Sequence, residues 1–333
     1  MHKSTRNWRR SAGMALMALA VSSWALAGNE SGPAGDSSAK PPQVLLDAAT
    51  EVSYLSFDRG LPLFVQAGKV TVEGSTDWQK AMFGQAVCLQ QIAPATPDRL
   101  AAATTLYKLL IEKYPTGPCA PQSMMALGRI DELVDYLGDV PKRSAARQWY
   151  EMVRQASGDA SELTSEATFR IAATYIQEMD ADSVKKGISI LTDWLKGHPK
   201  NPLASAMWQY AGDSYLYPLD DYGQALDCYI KADAIGLLDK GREGPIYWRM
   251  ANLADRVGRN DVAITFYTKI IEKTPTSGKA YESQLALKRL GARVPEIQLF
   301  RAGDKTQSAT APAGANMPTT PAQNSGMKGV EKP

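Results

Sequence analysis

Histidine is nearly missing from this chain, with two in 333 residues. His2 falls in an N-terminal segment read below as an export signal, which leaves His198 alone. A two-histidine metal site of the HExxH kind is therefore excluded. A serine–histidine triad has His198 as its single candidate base. Cysteine is scarce too: Cys88, Cys119 and Cys228 form an odd set, which argues against a disulfide-built fold in a chain of this length. No phosphate loop, dinucleotide glycine motif, nucleophile elbow or zinc spacing is written in the sequence, so no metal, no cofactor and no enzyme activity are expected. Strand-like alternation is equally rare. "GKVTVEG" (68–74) is the one short candidate, and it reads better as a connection between two helices.

The first 27 residues carry Lys3, Arg6, Arg9 and Arg10, then the apolar run "SAGMALMALAVSSW", then "ALA" at 25–27. That order is the layout of a cleavable signal peptide, and the apolar run is shorter than the roughly 20 residues a bilayer span needs. An uncleaved N-terminal anchor is the alternative. The residue after the cut is Gly28 rather than Cys, which gives no support to a lipid anchor. Cleavage would take four of the 37 Lys and Arg and no acid, leaving 33 basic against 35 acidic residues. The basic character belongs to the address segment, so net charge does not suggest a nucleic-acid partner.

"GNESGPAGDSSAKPP" (28–42) has almost nothing to bury and reads as a flexible leader, and residues 303–333 read as a disordered tail of the same kind. Residues 43–96 read as an N-terminal helical, capping region and 97–302 as the main repeat. Within it, "LYKLLIEKYP" (106–115) returns 160 residues later as "FYTKIIEKTP" (266–275), with Tyr, Ile, Glu, Lys and Pro at matched positions. These are the ends of a series of helices at 98–115, 141–157, 184–198, 221–235 and 261–275. Each has a small residue (Ala103, Ala146, Gly187, Ala225, Ala263) and, four positions on, a bulky one (Tyr107, Tyr150, Leu191, Tyr229, Tyr267). Each then stops at Pro115, Gly158, Pro199, Gly236 or Pro275. A second column of small residues, Gly128, Ala173, Gly212 and Ala251, sits in the helix preceding most members. Small residues let helix backbones approach, and the bulky residue fills the space between neighbouring pairs.

These columns resemble the tetratricopeptide repeat family. Tyr247, Ala251, Ala263, Tyr267, Ile270 and Pro275 match its signature columns without insertion. Trp208, Ala211, Gly212 and Tyr215, followed by Ala225, Tyr229 and Ala232, match with one extra residue, and Phe169 with Ala173 and Gly187 with Pro199 match with two. The unit from Met124 to Gly158 has extra residues in the turn "YLGDVPKR", and the helix at 76–92 matches poorly. The column intervals of 43, 41, 38 and 38 exceed the family's period of about 34, and HEAT and armadillo repeats lie nearer 40–47. The excess lies in the turns. The resemblance implies an all-α, right-handed solenoid of five to six stacked antiparallel helix pairs, with a concave groove lined by the first helix of each pair.

Carried onto this sequence, that groove would hold Met125 and Arg129, Arg170 and Thr174, Gln209 and Asp213, and Trp248 and Asn252. The competing reading is that Met125 and Trp248 pack internally and the others are simply solvated. The acids of "LGRIDELVDYLGD" (Asp131, Glu132, Asp135, Asp139) read as a solvated helix face, Asp220 and Asp221 as helix caps, and His198 as an exposed turn residue. In stacked pairs Cys88 and Cys119 would lie at opposite edges of neighbouring helices, beyond the roughly 7 Å that a disulfide tolerates. The expected role is an exported, periplasmic or secreted interaction scaffold that takes a peptide segment of a protein partner of the cell envelope. The alternatives are a self-assembling envelope protein or a helical support subunit of a cell-wall enzyme.

Overall fold

The structure, a computed structural model, describes residues 41–159, 161–237 and 243–296. The expected export signal, residues 28–40 of the leader, the tail, and 297–302 of the expected solenoid lie outside the described residues. Among the described residues there are thirteen helices and no strand. They are α1 (Gln43–Ser53), α2 (Phe57–Val70), α3 (Thr76–Gln91), α4 (Pro97–Lys113), α5 (Ala120–Glu132), α6 (Arg143–Ala156) and α7 (Glu162–Ile176). Then follow α8 (Ala181–Gly197), α9 (Ala204–Leu216), α10 (Tyr222–Ile235), α11 (Glu243–Arg256), α12 (Asn260–Lys273) and α13 (Gly278–Arg289). "GKVTVEG" ends α2 and turns into α3. None of the described helices is long and apolar enough to cross a membrane.

Local chemistry sets the ends. The side chains of Ser75, Thr96, Ser161, Asp180, Asp221 and Ser277 each accept a hydrogen bond from a first-turn N–H. Asp221 is thus a cap, whereas Asp220 stands at φ +52° outside the helix and accepts from the Tyr222 hydroxyl at 3.4 Å. At the other end, the residues before Pro115, Pro199 and Pro275 share one conformation. Tyr114, His198 and Thr274 have φ −133°, −129° and −133°, with ψ 58°, 54° and 54°. A residue before proline is pushed out of the helical region, so the three prolines end three helices in the same way.

Each described helix packs on the next. The odd-numbered helices are the first members of pairs and the even-numbered ones the second. First helices also touch each other directly, α1 on α3 and α5 on α7, while no two second helices make contact of that extent. The result is an all-α, solenoid-like stack whose first helices lie closest together. The core is continuous across the expected boundary at 96/97, because one cluster runs from Leu45 to Ile171.

The columns lie where the stack closes. Ala103, Ala146, Ala225 and Ala263 are fully buried, as are Tyr107, Tyr150 and Leu191, and Tyr229 and Tyr267 are 1% exposed. A Cβ added at Gly128 would stand 2.3 Å from Tyr150 Cε1, and one at Gly187 would stand 2.6 Å from the Ala172 carbonyl oxygen. The three cysteines are buried and free, and burial pushes the thiols of Cys88 and Cys228 up to about 12 and about 11. Buried protonated thiols of this kind are inert.

Gly128→Ala is expected to lower stability by about 1–3 kcal/mol, since the Tyr150 ring must shift to admit the methyl group. Gly197→Ala, with nothing within 4 Å of the new Cβ, should stay within about 0.5 kcal/mol of the parent. Urea denaturation of both variants measures the difference, and equal stabilities would contradict the tyrosine slot.

Candidate functional site

The eight groove residues form one stripe of two on each of α5, α7, α9 and α11. The structure divides them into two groups. Met125 is 3% exposed, Arg129 is 6% exposed, and Thr174 is fully buried with its hydroxyl donating to the Ile171 carbonyl at 2.7 Å. Met125 and Thr174 therefore belong to the core and present nothing to a ligand. Arg129 and Arg170 are held by the protein's own acids. Both guanidiniums donate to Glu166 Oε1, from Arg129 Nη2 and, at 2.8 Å, from Arg170 Nε. Arg170 Nη1 also donates to Glu132 Oε2 at 3.0 Å. Glu132 accepts from the Tyr150 hydroxyl at 2.7 Å and from Gln177 Nε2 at 3.2 Å as well, three bonds in all.

On α9 and α11 the stripes are open. Gln209 is half-buried and donates to Ser205 Oγ at 3.2 Å. Asp213 accepts from the Tyr229 hydroxyl and from Arg249 Nη1 at 2.6 Å, yet the side chains of Asp213 and Arg249 remain 49% and 47% exposed. Trp248 is half-buried, edge-on to Tyr267 with ring centroids 5.8 Å apart, and Lys279 Nζ stands 4.3 Å from its ring centre. Asn252 is exposed and donates to the Trp248 carbonyl at 2.6 Å.

One device repeats along this face and was not foreseen from the sequence. Each column tyrosine brings a buried hydroxyl to the first-helix side, where an O–H must find an acceptor. Tyr150 finds Glu132, which binds Arg170 of the next first helix, and Tyr229 finds Asp213, which binds Arg249 of the next. Near Tyr267 the next first helix again supplies an arginine to an acid, Arg289 donating to Asp255, but the Tyr267 hydroxyl makes no hydrogen bond to that carboxylate. Tyr107 donates to the neutral Gln90 Oε1 at 2.9 Å. Glu132, expected on a solvated helix face, is instead 6% exposed, because the Tyr150 hydroxyl and Arg170 close over it. The sequence does not single out Glu166 and Arg249, and the one signal they leave in it is the i, i+4 spacing of Glu166 and Arg170.

The other candidates resolve into structural roles. Asp131 accepts from Trp149 Nε1 at 3.1 Å, and Asp139 accepts from the backbone N–H groups of Asp135 and Val140 at 3.1 and 3.0 Å. Among the described residues no group of three His, Cys, Asp or Glu could hold a metal ion. His198 is a turn residue but not an exposed one: its side chain is 24% exposed, stacked on the Trp194 ring at 3.7 Å. Its Nε2 is 3.1 Å from Asp159 Oδ2 and its Nδ1 is 3.1 Å from the Trp194 carbonyl oxygen, so the ring is used in holding the end of α8.

Burial pushes the Glu166 carboxyl up, but the guanidiniums of Arg129 and Arg170 outweigh it and hold it at about 2 against an ordinary 4.5. A depressed carboxyl stabilises the fold above its unfolded value and loses that contribution as pH falls through the folded value. Acid unfolding should therefore draw on Glu166 between about pH 4.5 and 2, and Glu166→Gln should lower stability at neutral pH and flatten that segment of the profile. Arg170→Ala is expected to cost about 3–5 kcal/mol, because it leaves buried carboxylates uncompensated. Urea unfolding across pH measures both, and an unchanged profile would refute the network. No protein-family model matches this chain, and no curated protein is significantly similar to it.

Proposed function

We propose that this chain is an exported, periplasmic interaction scaffold of tetratricopeptide type, without enzyme activity, that binds a peptide segment of an envelope protein on the first-helix side of its stack. The binding region is the α9–α11–α13 half of that face. The observation that carries this reading is the open stripe around Trp248. It offers a half-buried aromatic, the partly exposed pair Arg249–Asp213, the exposed amide of Asn252 and the ammonium of Lys279, whose pair with Glu282 is itself about half exposed. Tryptophan and arginine dominate interface energetics. Arg129 and Arg170 leave the proposed contact set, since their charge is already used within the fold.

Self-assembly is the second reading. It is favoured by Tyr281 and Leu285, 64% and 50% exposed one turn apart on α13, the last helix among the described residues. It requires a molecular mass in solution that grows with concentration.

The test is capture from native envelope extract with residues 28–333 as bait, compared with Asn252→Arg and Arg129→Ala. Asn252→Arg should keep the parent melting temperature and lose the partner by at least tenfold. Arg129→Ala should lose thermal stability. A partner held equally well by Asn252→Arg would remove the site from this face.

A further inference from the structure

A second groove lies on the opposite, second-helix side of the stack, between α6 and α8 with α7 as its floor. Its volume is about 590 Å³. Arg147, Met152, Ile171, Tyr175, Lys186 and Ile190 line it together with polar side chains of α6, so the open wall is largely apolar and its charged groups are two cations and the carboxylate of Glu151. Met152, at 38% exposed, is a large apolar side chain left uncovered on the wall.

The cations converge on one ring. Arg147 Cζ lies 4.2 Å and Lys186 Nζ 4.3 Å from the centre of Tyr175. Arg147 is neutralised by Glu178, its Nη1 donating to Oε1 at 2.7 Å. Lys186 makes no ion pair among the described residues, and a solvated ammonium over a ring gains about 0.5–1 kcal/mol. The groove's own carboxylate, Glu151, is taken by Arg154 at 3.2 Å.

The corresponding groove between α10 and α12 shows what completes this arrangement. There Lys269 and Lys273 flank the Tyr247 ring at 5.3 and 5.2 Å, and Asp233, which also lines the groove, pairs with Lys269. That groove of about 480 Å³ contains two carboxylates, Asp233 and Glu243, of which Asp233 pairs with Lys269, while Lys273 donates to the Tyr247 hydroxyl. In the α6–α8 groove no carboxylate among the described residues pairs with Lys186, since Glu151 is turned to Arg154 and Glu178 to Arg147.

We infer that the α6–α8 groove is a second docking site, which takes a peptide segment of a protein partner carrying an acidic side chain beside an aliphatic one. The carboxylate meets Lys186 Nζ above Tyr175, where Asp233 meets Lys269 in the other groove. The aliphatic side chain covers Met152 and Ile190. This site shares no residue with the first-helix face, so the two stand or fall separately.

The experiment measures binding of a fluorescent, acetylated octapeptide of alternating leucine and glutamate to residues 28–333, beside its leucine–glutamine counterpart. The glutamate peptide should bind at least tenfold more tightly. Lys186→Ala should abolish most of that preference, Lys186→Arg should retain it, and Lys269→Ala should leave it unchanged. Equal binding of the two peptides would overturn the inference, as would equal losses in Lys186→Ala and Lys269→Ala, which would mark non-specific charge attraction. Vesicles of phosphatidylglycerol that displace the peptide in a Lys186-dependent way would assign the groove to a lipid headgroup instead. A peptide that binds only by changing the sedimenting mass of the protein would assign it to a second copy of the chain.

Discussion

Everything in this stack hangs on one close contact, a tyrosine ring of a second helix lying on a small residue of the first helix beside it. At Tyr150 and Gly128 the fit leaves no room for a methyl group, and at Tyr229 and Gly212 an added Cβ would stand 3.1 Å from the ring. The contact fixes how near the two helices of a pair lie. It also buries a phenol, and this has a second consequence. A buried hydroxyl demands an acceptor, a carboxylate supplies it, and a carboxylate at that depth demands a cation. The cation comes from the next first helix, Arg170 for Tyr150 and Arg249 for Tyr229. One packing decision thereby fixes both the spacing within a pair and the polar bond between pairs.

The same chain of demands explains why the first-helix face is unequal along its length. At α5 and α7 two acids, Glu132 and Glu166, meet two arginines, and both charges of each sign are paired from within, although Arg129 Nε is buried without a partner. At α9 and α11 a single aspartate and a single arginine meet, and each stays about half exposed. Between these regions the column residue is Leu191, which has no hydroxyl and makes no such demand. The contact of α7 with α9 is sealed there by the rings of Phe169 and Tyr210, 5.2 Å apart, in place of ions. The closed half contributes stability, and the open half retains groups that can still be satisfied by something else.

The columns were legible because they are a matter of size at fixed spacing. Ala103 to Tyr107 and Ala263 to Tyr267 obey the same four-residue step, and sequence shows such steps directly. The polar partners were not legible, because their positions drift. Glu132 and Asp255 stand four residues after the small residue of their helix, while Asp213 stands one after it. Their arginines come from 34 to 38 residues downstream. A hydroxyl needs an acceptor within reach, and a long side chain reaches it from either register, so no single column is enforced. Met125 and Thr174 were misplaced for a related reason. Helical spacing assigns a residue to a face, but how deeply the neighbouring helix covers that face depends on contacts set far away in sequence. His198 was misplaced by composition, since a turn between Gly and Pro reads as exposed while the Trp194 ring lies beneath it.

The variable interval between columns bears on what the repeat unit is. The longest turn within a pair, residues 133–142, brings the polar backbone of its extra residues under local control. Asp139 accepts from two backbone N–H groups, Gly138 adopts φ +91°, and the Lys142 N–H donates to the Asp131 carbonyl at 2.6 Å, so the chain re-enters α6 close to where it left α5. Leu137 is left fully exposed at the tip. The insertion is absorbed before it reaches the helices, and Tyr150 still meets Gly128. Tyr114, His198 and Thr274 end their helices with the same dihedral angles although the intervals between columns range from 38 to 43. The unit that repeats is therefore a contact geometry rather than a chain length. Turns between the helices can lengthen without altering either face of the stack, provided that they return the chain to the tyrosine and its slot.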